Sequence, residues 1–401
     1  MTLLKIAIIT PEYPPYMSGG IGSYNYELAK KLVEKGLGVI VIVPSDQRDE
    51  LKVFSPRYKC YYLKTPSLRP RYFYFQLYNR ERIRKILERE KIDIVQLNVG
   101  SSVLVKTSRD ILRRAKIVLV FHGSPSPFNR LWDSLRHLDI LDITWVTTSS
   151  VYSTIERALG DDVLKYADVA VHLAKHAMYY NILHNEKLRS LKNVVIYPGV
   201  DIARYAMYIN STGDYSTTKK FRSFVFSARL MRYKGVVQLL KAFSIASRKN
   251  GHATLYIFGD GPLKYYVLKV INSVNNPPRI FYYGKISREL FLEKLATKDI
   301  LIHPSLYECF SMTVLEAALL NKPVIAHRAP WSEETVEATG IGITVDTLDT
   351  EKFAETLLDM TDEGNYEKMI KRLQTRKSEL IKSFSSETMA KNYIELYNKL
   401  T

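Results

Sequence analysis

The sequence predicts two α/β domains, each built on a parallel, doubly wound sheet. Three observations carry this. Short apolar runs alternate with stretches of helical spacing from Ile6 onward, the pattern of strand–helix–strand units on a parallel sheet. A polar stretch, Asn210-Ser-Thr-Gly-Asp-Tyr-Ser-Thr-Thr-Lys-Lys, breaks the alternation, which then restarts. A chain of 401 residues also exceeds what one ordinary core holds. Two Rossmann-like domains follow, 1–205 and 206–385, with a final helix over 386–401.

The elements run in order. Leu4-Lys-Ile-Ala-Ile-Ile-Thr and Leu37-Gly-Val-Ile-Val-Ile-Val are strands, joined by a helix whose Tyr24, Leu28, Ala29, Leu32 and Val33 share one face. Strand-like runs recur at Ile92–Leu97, Lys116–Phe121, Ile143–Thr148, Val169–Leu173 and Val194–Tyr197. In the second half Phe224-Val-Phe-Ser, a helix from about Gly235 to Lys249, and Thr254-Leu-Tyr-Ile-Phe repeat the opening plan of strand, glycine-bearing loop, helix, strand. Asp299-Ile-Leu-Ile and Pro323-Val-Ile-Ala flank a helix of good formers, Val314-Leu-Glu-Ala-Ala-Leu-Leu. The last helix carries Met389, Tyr393, Leu396, Tyr397 and Leu400 on one face.

Composition excludes several classes. A hydrophobic share of 46% with 25% charged residues is that of a folded soluble protein. No run reaches the ~18 apolar residues of a membrane span. MTLLKIAIITPEYPP reads as a first strand rather than a signal peptide. Cys60 and Cys309 are far apart with no CxxC, so a cytoplasmic protein without disulfide or zinc frameworks is expected. The net charge of +17 is partly concentrated in residues 57–91, with eleven Lys/Arg against three Asp/Glu and aromatics interleaved. Such a segment suits an anionic membrane surface on the inner face of the cell membrane. The other reading is a solvated helix packed by Ile83, Ile86 and Leu87. Nucleic-acid binding would rest on charge alone, with no recognition motif, and is not expected.

The chemistry-bearing residues lie where strands hand over to loops. His303–Ala326 places Glu308 in a loop and Glu316 about one turn into a helix. The N-terminus of that helix, at Ser311, Met312 and Thr313, offers N–H groups to an anion such as phosphate. Two acids beside a phosphate would then serve sugar hydroxyls; the alternative is a turn acid and a surface helix acid. Gly19-Gly20 with Gly22 opens another helix without completing GxGxxG, so it is either a phosphate-approaching loop or a flexible turn. Ser227-Ala-Arg-Leu-Met-Arg-Tyr-Lys-Gly puts Arg229 and Lys234 in one loop, a pair suited to a diphosphate. Gly259-Asp260-Gly261 makes a tight turn, and His122 follows a strand directly. No DxD triplet, metal-ligand cluster, GxSxG or GKS/T occurs.

Taken together, GGIGSY, FHG, PGVD, SARLMRYKG, FGDGP and PSLYE-x7-E-ALLNKPVIA resemble the GT-B glycosyltransferases of family four, the large retaining group, over nearly the whole chain. The resemblance implies two Rossmann-like domains facing each other across a cleft, the first on the acceptor side and the second binding the donor. It also implies that the last helix crosses back to the first domain. The donor is a nucleotide-diphosphate hexose such as a UDP- or GDP-hexose, with no cofactor and no metal. Arg229, Lys234, Gly19, Gly20, Ser311, Met312 and Thr313 would hold its diphosphate. Glu308, Cys309 and Phe310 would hold its hexose, Glu316 its ribose, and Gly259, Asp260 and Gly261 the nucleotide. His122, Glu308, Arg229 and Lys234 form the implied catalytic set, and the acceptor is a glycan, lipid-linked or otherwise anionic, in envelope or glycoprotein glycan synthesis. The chain departs from the family's usual EGFG: it reads Glu308-Cys-Phe-Ser, which puts the donor sugar in question, and Ser311 is free to cap the helix instead. Two other outcomes stay open: a soluble glucan or disaccharide-phosphate synthase, and a non-catalytic nucleotide-sugar binder or an epimerase on the same scaffold.

Overall fold

A computed structural model describes residues 4–15, 19–47, 49–68, 71–98, 104, 114–123, 151, 163–210, 222–249, 252–272 and 279–401. The run expected as a strand at Ile143–Thr148 and the polar stretch after Asn210 lie outside these residues. The chain divides into two compact units, Met1–Val200 with Phe384–Thr401, and Asp201–Ser383.

The first unit opens with β1 (Lys5–Ile9), α1 (Gly20–Glu34) and β2 (Gly38–Ser45). An edge hairpin follows, β3 (Glu50–Ser55) and β4 (Tyr58–Lys64), then α2 (Arg71–Glu90), β5 (Ile94–Asn98), β6 (Lys116–Phe121), β7 (Val169–His172), α3 (Lys175–His184) and β8 (Lys192–Val195). The sheet runs β3-β4-β2-β1-β5-β6-β7-β8, and only β3 is antiparallel to its neighbour. All eight residues of β2 are buried, as expected of a strand covered on both faces. Ile9, Ile42, Val95, Leu97 and Leu119 sit in the core.

The hairpin is a departure from the sequence reading, which took residues 57–91 as one basic, aromatic segment. Its first part is β4, held by parallel pairing to β2. Its second is α2, whose Ile83, Ile86 and Leu87 are buried as the solvated-helix reading required. Part of the positive charge is paired internally: Lys59 with Glu90, Arg82 with Asp49, Arg84 with Glu81 and Arg71 with Asp46.

The second unit contains α4 (Ile202–Asn210), β9 (Arg222–Ser227), α5 (Val236–Lys249), β10 (Ala253–Phe258), α6 (Lys264–Ile271), β11 (Ile280–Tyr282), α7 (Arg288–Ala296) and β12 (Ile300–His303). It continues through α8 (Met312–Leu319), β13 (Val324–His327), β14 (Gly342–Val345), α9 (Thr350–Asp359) and α10 (Glu363–Phe384). The strand order is β11-β10-β9-β12-β13-β14, with every pairing parallel. Chain direction across the sheet therefore reverses between β9 and β12. In open α/β sheets that point, at the carboxyl ends of the strands, leaves a crevice for ligands.

The units divide after Val200, where the sequence placed 205. The reason is α4: Tyr205 is buried against Glu316 and Arg288 of the second unit. The last helix, α11 (Ser386–Asn398), belongs to the first unit. It is capped by Ser385 and tied down where Val200 N donates to Phe384 O. Met389, Tyr393, Leu396 and Tyr397 are buried. Tyr397 donates to Gln96 Oε1 at 2.8 Å, and Gln96 Nε2 donates to Asn25 Oδ1 at 3.4 Å. Tyr393 shares a hydrogen bond with Tyr24 of α1.

These hydroxyls are the polar anchors of an otherwise apolar helix seat. Tyr397→Phe strands the buried Gln96 acceptor and is expected to destabilise the first unit by about 1–3 kcal/mol. Thermal denaturation should register this as a fall of several degrees.

Candidate active site

Two loops meet at the reversal point of the second unit. The one after β9 runs through Arg229 to Lys234 and turns into α5 at Gly235, whose φ of +75° is a left-handed conformation. A β-carbon on Gly235 would lie 2.1 Å from the carbonyl oxygen of Pro304, so only glycine permits this approach. The one after β12 is fastened to it: Leu306 N donates to Tyr233 O at 2.8 Å. A third turn, Gly259-Asp260-Gly261, supports the first from the other side. Ala228 N donates to Phe258 O, Leu230 N to Asp260 O and Leu263 N to Leu230 O. At Gly259, with φ +129°, a β-carbon would fall 1.9 Å from Ala228 O. The exposed Asp260 carboxylate accepts from its neighbour Gly261 N. This turn is thus a brace for the Arg229 loop.

The side chains brought together are Lys234, Glu308, His303 and Ser311. Lys234 Nζ lies 2.5 Å from Glu308 Oε1, and His303 Nε2 lies 3.0 Å from the same oxygen. Ser311 Oγ is 3.1 Å from His303 Nε2 and accepts from Val314 N as the cap of α8. Burial works against the charge on Glu308, but the Lys234 ammonium and His303 overcome it and bring the carboxyl down to about 2. Met312 and Thr313 start α8 half-buried, and their backbone N–H groups have no acceptor among the described residues. Cys309 and Phe310 are half-buried in the same loop. Arg229, in the loop after β9, is exposed, with no carboxylate partner among the described residues.

Glu316 lies one turn further along α8 and is buried, not a surface residue. Its Oε1 takes Arg288 Nη2 at 2.5 Å and the Tyr205 hydroxyl at 3.3 Å, and Arg288 Nη2 also donates to Tyr205 at 3.1 Å. Burial and the Glu316 charge push the Tyr205 phenol up.

In the first unit, Gly19 precedes α1, and a methyl there would sit 2.3 Å from Glu12 Oε2. That carboxylate accepts from Gly22 N at 3.4 Å, so a glutamate stands where a phosphate was expected. Gly20 faces open space. His122 packs edge-on against Tyr24 of α1, ring centroids 4.9 Å apart. Its Nε2 is buried without a hydrogen-bond partner among the described residues, and burial lowers its pKa to about 3.

Comparison with known proteins gives this arrangement a family. The family model for glycosyl transferases group 1 matches residues 213–376, and that for glycosyltransferase family 4 matches residues 18–204. The chain is a GT-B glycosyltransferase. An uncharacterised glycosyltransferase of Methanocaldococcus jannaschii is 21% identical over 98% of both chains. Among solved structures, sucrose-phosphate synthase from Thermosynechococcus elongatus superposes with a TM-score of 0.74 at 17% identity, covering 99% of each chain. The Anabaena protein Alr3699/HepE, solved in complex with UDP-glucose, gives 0.69 at 16% identity, over 99% of this chain and 100% of that one.

Of the residues the sequence singles out, the second unit brings Lys234, Glu308 and Ser311 together around His303, sets Glu316 further along α8 against Arg288 and Tyr205, and leaves Arg229 exposed in the loop after β9. His303, Arg288, Tyr205 and Glu12 were missed. His303 could have been noticed as a polar end to an apolar strand; Arg288 and Tyr205 had no local signal, because each contacts Glu316 only through the fold.

Two measurements check these electrostatics. Glu308 titrates near 4.5 when unfolded and near 2 when folded, so its contribution is complete above about 4.5 and disappears as pH falls through 2. Chemical denaturation across that window should show a shallower acid loss for Glu308→Gln, by on the order of 3 kcal/mol at most. His122, held neutral above about pH 3, should show no imidazole titration by NMR between about pH 5 and 8.

Proposed function

We propose that this glycosyltransferase moves a hexose from a nucleoside-diphosphate sugar to a lipid-linked glycan acceptor, with retention of anomeric configuration. The observation that carries the reading is the meeting of Lys234 with Glu308 beside the N-terminus of α8 at the reversal point of the second sheet, with Arg229 exposed in the same loop as Lys234. Two cations and unclaimed N–H groups suit a diphosphate leaving group, which gains negative charge as the glycosidic bond breaks. Lys234 is neutralised by Glu308 in the ligand-free protein, and the diphosphate takes over as its partner. Glu308 then accepts from a hexose hydroxyl and Glu316 from the ribose. No carboxylate nucleophile is assigned; the acceptor attacks from the face the diphosphate leaves, and the departing phosphate takes its proton. Charge on the leaving group is met by Arg229 and Lys234, so turnover is expected to survive metal chelation.

Support for the acceptor side comes from the surface of the first unit. The β3–β4 hairpin exposes Leu51, Val53 and Phe54, and α2 exposes Tyr78. Arg57, Lys64, Arg80 and Lys85 of the same stretch of chain are exposed as well. Exposed apolar and basic groups in one stretch of chain favour an anionic bilayer. Among the described residues no helix is long and apolar enough to cross a membrane.

A panel of nucleotide sugars, read by thermal stabilisation, tests the donor. A ligand at about a hundred times its Kd adds about 2.7 kcal/mol, a rise of several degrees. Lys234→Ala should lower turnover of the selected donor by roughly a hundredfold; full turnover in that variant would refute the site. Transfer to a soluble sugar phosphate, with no response to polyprenyl-linked acceptors or to anionic liposomes at low salt, would favour the soluble-synthase reading. Binding without transfer or hydrolysis would favour a binder, and a 2-epimerised sugar released with free nucleotide an epimerase.

A further inference from the structure

His303 is the last residue of β12 and is 4% exposed. Its ring is clamped: Trp331 packs edge-on at 5.4 Å, and Trp331 is itself anchored by Nε1 donating to Ser305 O at 3.0 Å. Glu308 is ionised and can only accept, so the proton on His303 must reside on Nε2, the nitrogen facing it at 3.0 Å. Ser311 Oγ approaches the same nitrogen at 3.1 Å. A serine–histidine–carboxylate relay for nucleophilic attack needs serine and carboxylate on opposite ring nitrogens. Here both meet Nε2, so the cluster is not built to activate Ser311.

What the cluster does is hold one carboxylate oxygen. Glu308 Oε1 receives both Lys234 Nζ and His303 Nε2. The two donors differ in kind. Lys234 is a flexible point charge in the loop that carries Arg229, and a diphosphate competes for it. His303 is a rigid ring on a strand, packed so that it cannot follow. We infer that His303 is a positioning residue that keeps Glu308 in place for the donor hexose once the diphosphate draws Lys234 away, and that Ser311 steadies His303 in that task. This rests on reading the second unit as the donor site. It also gives a role to the departure at Ser311: its Oγ is a second acceptor from the His303 Nε2–H, which a glycine there would lack. The consequence is selectivity. Losing the His303 N–H should weaken recognition of the sugar and leave recognition of the nucleoside diphosphate intact.

Isothermal titration of wild type, His303→Leu, His303→Gln and Ser311→Gly against UDP-glucose, GDP-mannose, UDP and GDP tests this. His303→Leu should lose about tenfold in affinity for the nucleotide sugar that wild type binds, the effect of one hydrogen bond to a charged group. Its affinity for the matching nucleoside diphosphate should change by less than about twofold. His303→Gln, which can still donate to Glu308, should recover most of the loss. Ser311→Gly costs the helix cap only a few tenths of a kcal/mol and should shift the ratio in the same direction by less. Equal losses for sugar nucleotide and nucleoside diphosphate, or no loss for either, would overturn the inference while leaving the donor site standing. Failure of wild type to bind any of the four would overturn the donor-site reading and the inference with it.

Discussion

The candidate site depends on one close approach, that of the Gly235 α-carbon to the carbonyl of Pro304. No side chain fits between them, so the loop after β9 and the loop after β12 lie against each other where the sheet reverses. That contact brings Lys234 within reach of Glu308, with Arg229 exposed earlier in the same loop. The turn at Gly259 supports it from the far side of the same loop. The loops that carry these charges are held by backbone packing and so are set before a ligand arrives, the condition in which electrostatic stabilisation is most effective.

Within that frame the charges are arranged by pairing rather than by solvation. Glu308 remains ionised despite burial because Lys234 and His303 share one of its oxygens. Glu316 is buried with Arg288 and Tyr205 on one oxygen. Removing a single partner from a buried pair leaves an uncompensated charge, so these residues act as sets. In the function proposed above, a donor that contributes two phosphates and several hydroxyls would exchange partners with such a set without leaving any member bare.

The first unit shows the same economy in neutral groups. Asn25, Gln96 and Tyr397 form a buried chain of hydrogen bonds from α1 through β5 to α11, and Tyr393 reaches Tyr24 beside it. Tyr24 in turn packs on His122. The terminal helix is therefore part of the wall behind a histidine more than 260 residues earlier in the chain, and the fold of the first unit is incomplete without it.

Periodicity by itself determined most of the architecture: strands β1, β2, β5 to β10, β12 and β13, the helix faces named above, and the apolar face of α11 follow from which positions are apolar, because burial on a sheet or helix repeats locally, whereas the short β11 and β14 were not read. Residue type and loop position likewise pointed to Arg229, Lys234, Glu308, Glu316 and Ser311. The β3–β4 hairpin escaped, since its strands are half-exposed and mixed with bases. Partners were decided only by the tertiary structure. That Lys234 neutralises Glu308, that His303 joins them, that Arg288 and Tyr205 take Glu316, and that Glu12 occupies the start of α1 are facts about distance in space. The contacts of Lys234 with Glu308 and of Arg288 and Tyr205 with Glu316 join segments far apart in the chain, and charge and hydrogen bonding act over a few ångströms whatever that separation.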